Sequence, residues 1–155
     1  MKQIRKTLLI VLGICLGCLS VSCGKRTEIE QGESYIYCLN SDRTGLQKVS
    51  YEIGEKDVLK EAEEMLEELS RPSEEIEYTP PLPKEVKVRQ CELEGGILYV
   101  DFTAQYKQMD AVEETLVRAA VVESLIRIDG IDSVWIRVEG EDLADRSGQV
   151  LGYLN

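Results

Sequence analysis

Residues 86–102 read Val86-Lys87-Val88-Arg89-Gln90-Cys91-Glu92-Leu93-Glu94-Gly95-Gly96-Ile97-Leu98-Tyr99-Val100-Asp101-Phe102. Two runs with strand-like apolar patterning flank a Gly-Gly pair, and glycine accepts the positive φ that tight hairpin turns require. The stretch predicts a β-hairpin with strands at 86–93 and 97–102. Apolar alternation slips between Val88 and Cys91, so a bulge is expected there.

Downstream, residues 111–128 predict a helix whose apolar members include Val112, Leu116, Val117, Val121, Val122, Leu125, Ile126 and Ile128. At 100° per residue they cover nearly the whole circumference, so this helix is buried on more than one side. Its second covering is either a partner chain or loops of its own chain. On the first alternative, Val117, Val121, Val122 and Leu125 are the candidate interface. Asp129-Gly130-Ile131-Asp132 stops the helix, residues 134–138 form a last strand, and 139–155 are polar and glycine-containing.

Upstream, Asp57 is an N-cap for a helix through residue 69. Its apolar residues Val58, Leu59, Ala62, Met65, Leu66 and Leu69 recur at three-four spacing, with glutamates filling the rest. Residues 35–39 and 46–53 read as strands around the turn residues Ser41-Asp42-Arg43-Thr44-Gly45. Residues 70–84 read as a loop, in which Pro80-Pro81-Leu82-Pro83 leads in extended form to the hairpin. The order is β-β-α-β-β-α-β. Two helices on one face of a mostly antiparallel sheet make an α+β fold.

The first residues are of another kind. Lys2, Arg5 and Lys6 precede an uncharged apolar run at 8–19. Twelve residues span roughly 18 Å as a helix, against a bilayer core of about 30 Å. The run is a signal h-region rather than a span. It leads into Leu19-Ser20-Val21-Ser22-Cys23, which resembles the lipobox of bacterial lipoproteins, with Ser20 where that pattern usually has Leu. The resemblance implies a signal peptide at 1–22, a diacylglycerol on Cys23 and a lipid-anchored tether at 23–34. The folded domain is then 35–155. Two acyl chains hold a soluble domain on a membrane stably, whereas one does not.

The 155 residues carry 18 Lys and Arg, 29 Asp and Glu and no His, a net charge of −11. Loss of the three basic residues of the signal takes it to −14. Without histidine there is no Ser-His-Asp or Cys-His catalysis and no His-ligated zinc. The acidic balance excludes nucleic acid as a partner, since neutralising phosphates needs clustered Lys and Arg. Of five cysteines, Cys23, Cys38 and Cys91 survive processing. Cys38 and Cys91 are either a disulfide, which an extracytoplasmic location permits, or two buried thiols.

Two acidic groupings bear on function. Asp101 with Glu94 or Asp110 is a carboxylate pair of the kind acid/base chemistry uses, but a strand-end Asp more simply accepts backbone N–H groups. Glu139, Glu141, Asp142 and Asp145 cluster before Gly148 without the alternation of a calcium loop, and read as a solvated acidic loop. No cofactor or metal site is expected.

From Tyr35 onward the chain resembles the GerMN domain of sporulation and spore-germination proteins. The matching features are the Tyr35-Ile36-Tyr37 strand, Leu82-Pro83, and Gly96-Ile97-Leu98-Tyr99-Val100-Asp101-Phe102. Glu123-Ser124-Leu125, Gly130-Ile131-Asp132-Ser133-Val134 and the Val138-Glu139-Gly140 turn complete them. Two departures are the missing glycine before Pro72 and Ser124 where the family frequently has threonine. The resemblance implies a fold similar to ring-building modules of envelope machines, with no established catalytic residues. It further implies a module lipid-anchored outside the cytoplasm of a Gram-positive, spore-forming type of bacterium. The expected function is non-catalytic protein interaction in an envelope assembly, through a protein partner or self-association. The alternative is a lipoprotein that binds a small ligand or cell-wall polymer.

Overall fold

The computed structural model describes residues 34–52, 54, 57–73 and 77–155. The signal peptide, Cys23 and all but the last residue of the tether lie outside them. Among the described residues, no helix is long and apolar enough to cross a membrane.

The hairpin forms as its sequence predicts. Strands β4 (Val88–Glu94) and β5 (Ile97–Phe102) pair antiparallel, and their register shifts between Val88 and Gln90, where the alternation slipped. At the turn, Gly96 has φ 81°. A side chain at this position would run into the Asp132 carboxylate. The Gly96 carbonyl accepts the N–H of Asp132 at 2.7 Å, which ties the turn to the next strand.

Helix α1 (Val58–Glu68) starts at Asp57, whose carboxylate accepts the Lys60 N–H at 3.1 Å. Helix α2 (Ala111–Leu125) starts at Asp110, which accepts from Val112 and Glu113. It closes at Leu125, three residues short of the predicted end. Arg127 and Ile128 instead donate turn hydrogen bonds to Ser124 and Leu125.

The α+β class holds, but the strands divide into two sheets rather than one. β1 (Tyr35–Asn40) lies between β2 (Leu46–Ser50) and β3 (Tyr78–Thr79), a two-residue strand inside the stretch expected to be loop. The second sheet runs β4-β5-β6-β7, with β6 at Ser133–Val138 and β7 at Glu141–Asp142. β6 lies parallel to β5, from Ile97 opposite Ser133 to Phe102 opposite Val138. A parallel neighbour needs a crossover connection, and α2 provides it.

β1 is also bonded to the crossover helix. Tyr37 turns its N–H away from β2 and donates it to Ser124 Oγ of α2 at 2.8 Å, and the same hydroxyl donates to the Ala120 carbonyl at 2.7 Å. The helix thus satisfies a backbone donor on the β1 edge that faces away from β2. Ser124 is fully buried. A threonine there would carry the same hydroxyl, so this departure from the family pattern preserves the bond.

One core results. Ile36 and Cys38 from the first sheet and Leu98, Val100, Phe102, Val134, Ile136 and Val138 from the second meet the buried faces of both helices. Tyr106, in the 3-10 turn Ala104–Gln108, stacks on Phe102 with ring centroids 5.0 Å apart. Its hydroxyl donates to Glu114, and burial pushes the phenol's pKa up.

Candidate functional site

The structure first removes surfaces from consideration. Val117, Val121 and Leu125 have no exposed area, and Val122 is 6% exposed. These four candidate interface residues are core. α2 touches β1 of the first sheet, β6 of the second and α1, so its several apolar faces are covered by its own chain. Only Val112, near the helix start, stands out, at 71% exposure.

Cys38 and Cys91 are free thiols rather than a disulfide. Burial, reinforced by Glu68 for Cys38 and by Glu63 for Cys91, pushes both pKa values up to about 12. Neither is a nucleophile at neutral pH, because the thiolate is the reactive form.

The carboxylates are engaged in structure. Asp101 Oδ1 accepts the Gly140 N–H at 2.9 Å, and Oδ2 pairs with Arg89 at 2.6 Å. Glu139, at φ 55°, accepts the Ala104 N–H and lies 3.6 Å from the same guanidinium. These contacts clamp the ends of β4, β5 and β6 together. Asp101 therefore satisfies backbone donors, as a strand-end Asp was expected to, and pairs with neither Glu94 nor Asp110.

The acidic loop is dispersed in the same way. Glu141 pairs with Lys107, and Asp142 accepts from the Trp135 indole and faces Arg137. Asp145 takes the Ser147 hydroxyl and the N–H groups of Ser147 and Gln149, bonds that hold its pKa below the usual carboxylate value. Among the described residues no group of three or more Cys, Asp or Glu is arranged to hold a metal ion.

Two surfaces bear on partner or ligand binding. The larger is a cleft of about 430 Å³ between α1 and the outer edge of β4. β4 is an end strand, paired only with β5. Its outer edge therefore presents backbone donors and acceptors with no strand opposite. Leu66 and Leu82 form the cleft's apolar floor, and Val88, 38% exposed, stands at its rim. Glu63 and Glu67 line the helix wall, and Lys87 and Arg89 the strand wall.

The second surface is aromatic and does not show in the sequence reading, which takes residues 134–138 only as a strand. Trp135 lies between the buried Val134 and Ile136 and so on the opposite face of β6. That period-two pattern was the available signal. Tyr99 flanks it with centroids 6.1 Å apart, and Tyr153, 63% exposed, meets it edge-on at 4.8 Å. Arg137 lies over the Tyr99 ring at 4.6 Å.

A family model described as "Germane: Sporulation and spore germination" matches residues 35–144, most of the chain. The chain belongs to the Germane family. Solved structures share the fold of this Germane domain. The first GerMN domain of the sporulation protein GerM from Bacillus subtilis superposes with TM-score 0.64 at 17% identity. That match covers 77% of this chain and 93% of the other. A Clostridium perfringens protein described as a lipoprotein gives TM-score 0.53, also at 17% identity, with 79% and 85% covered. No curated protein matches the chain.

Proposed function

We propose that this Germane-family chain is a non-catalytic, lipid-anchored module outside the cytoplasm that docks a protein partner in an envelope assembly of sporulation or germination. The family description supplies the biological setting. The signal pattern ending at Cys23 supplies the anchor, and the C. perfringens neighbour is itself described as a lipoprotein.

The open edge of β4 beside its cleft carries the docking assignment. An extended segment added to such an edge gains main-chain hydrogen bonds, and adjoining apolar pockets select its side chains. A photoreactive amino acid at position 88, in the anchored full-length protein in its own cells, tests this. A matched probe at the exposed position 112 is the control. The reading predicts one repeatable envelope protein, or a second copy of the chain, caught from 88 and not from 112. Equal capture from both positions, or none from 88 in growing and sporulating cells, contradicts it.

The Tyr99–Trp135–Tyr153 surface supports the second reading, binding of a small ligand or wall polymer. It is less open than its composition implies, because Arg137 already lies over the Tyr99 ring and Tyr153 meets Trp135 edge-to-face. Trp135 is the only tryptophan. A saturable change in its emission with soluble peptidoglycan fragments would establish that reading, and a flat titration would remove it.

A further inference from the structure

One cluster enters neither proposed site. On the outer face of the first sheet, Tyr35 and Tyr37 meet edge-to-face with centroids 5.6 Å apart. Lys48 Nζ lies 4.1 Å from the Tyr35 ring centroid, and the Arg127 guanidinium lies 4.6 Å and 5.6 Å from the Tyr35 and Tyr37 centroids. Arg127 also donates to the Tyr37 hydroxyl at 3.3 Å. Three separate segments, β1, β2 and the turn after α2, contribute to the cluster. Both cations are exposed, and neither has a carboxylate partner among the described residues. Lys60, Lys84, Lys87 and Arg146 also lack a carboxylate partner among the described residues, but of these unpaired cations only Lys48 and Arg127 sit over aromatic rings.

Its position gives it meaning. Tyr35 is the first residue of β1 and stands twelve residues after Cys23. Fully extended, that length reaches roughly 40 Å at about 3.3–3.6 Å per residue. Relaxed, it spans roughly 20 Å. The face where the chain enters the domain is therefore within short reach of any bilayer that carries the anchor. Tyrosine, lysine and arginine are also the side chains suited to the headgroup layer: tyrosine has an apolar body with a polar tip, and the cations meet lipid phosphate.

We infer that Tyr35, Tyr37, Lys48 and Arg127 form the membrane-facing surface of the domain, seated on the phosphate headgroups of an anionic bilayer. The inference rests on the proposed acylation of Cys23. The large net negative charge reinforces this orientation. Acidic faces turned to an anionic surface meet repulsion, whereas those further away than a Debye length of about 8–10 Å are screened.

The test places the acylated full-length protein in vesicles of phosphatidylcholine with roughly a third phosphatidylglycerol, and measures amide exchange against the same protein in neutral detergent. Residues 35–37, 46–50 and 126–129 should slow on the vesicles. A basic side chain at an anionic surface is worth about fivefold in occupancy, so the double variant Lys48→Gln/Arg127→Gln should weaken the protected state by roughly 25-fold. That variant remains anchored and its exchange returns to the detergent rate. A second variant, Lys60→Gln/Lys84→Gln, loses equal charge at other exposed sites and should keep the protection.

Equal loss in both variants, or the same slowing on pure phosphatidylcholine, overturns the inference. Intact mass separates the two levels of failure. A chain without the diacylglycerol removes both the anchoring and the orientation, while an acylated chain with unchanged exchange removes the orientation alone.

Discussion

The two helices make the instructive comparison. Both start at an aspartate N-cap, and neither has a basic residue in its last turn. They differ in what surrounds them. α1 buries Ala62, Met65 and Leu66 on one stripe, with Glu61 at its edge, and turns its other glutamates to solvent and to the cleft. α2 buries Val117, Ala120, Val121, Val122, Ser124 and Leu125, residues that point in several directions. A helix apolar around its circumference invites a partner chain as explanation. Here the two sheets of its own chain cover it, and the open surface borders the amphipathic helix instead.

That contrast breaks most visibly at Val121. Val121→Asp buries an unpaired carboxylate in dry core, at a cost of at least several kcal/mol, so the protein should lose its cooperative melt. A folded Val121→Asp variant would mean that α2 has an open face after all. Next in size is Ser124. Ser124→Ala leaves the Tyr37 N–H unpaired under the helix, worth about 1–3 kcal/mol, whereas Ser124→Thr should stay near the parent in urea unfolding. Equal loss in both would assign the effect to packing rather than to the hydroxyl.

On the amphipathic helix the effects shrink. Asp57→Ala removes the N-cap and should cost about 0.5–2 kcal/mol, read as a lower thermal midpoint with no change in fold. Smaller still is Glu61, a buried acid on α1 whose pKa is raised by burial first, then by Asp129 and Glu64. The folded state holds this proton over a pH range where the unfolded chain has released it. The group therefore costs stability as pH rises from the ordinary value of 4.5 through the raised one, and the cost is complete above that. Glu61→Gln should melt above the parent at pH 7 and together with it near pH 4. The reverse order would mean that Glu61 is a favourable carboxylate.

Local chemistry was legible where a short-range pattern sets the outcome. The cap at Asp57, the Gly95-Gly96 turn and the bulge after Val88 each depend on neighbours a few residues away. The cap at Asp110 depends on the same kind of pattern, although the sequence reading does not name it. Pairing was not legible. Nothing near Tyr78 and Thr79 announces that they will bond to Leu39 and Asn40, because that strand exists only through its partner. The parallel register of β5 with β6 and the split into two sheets are likewise long-range, as is the Ser124 hydroxyl's bond to Tyr37, eighty-seven residues away. For the sites, the structural role of Asp101 could be read in advance. The outward face of Trp135 could have been, from the apolar Val134 and Ile136 on either side of it. The cleft could not, since it joins α1 to a strand edge whose openness is a property of sheet order.

The central claim is that partners meet this domain at the β4 edge and not at α2. Val88→Asp places a charge at the rim of the cleft on a half-exposed strand position, where the expected cost is no more than about 1 kcal/mol. Partner capture by the anchored protein in sporulating cells, measured beside its melting temperature, is the direct test. The account predicts a folded, anchored Val88→Asp protein that no longer captures its partner. Undiminished capture by that folded variant would contradict it.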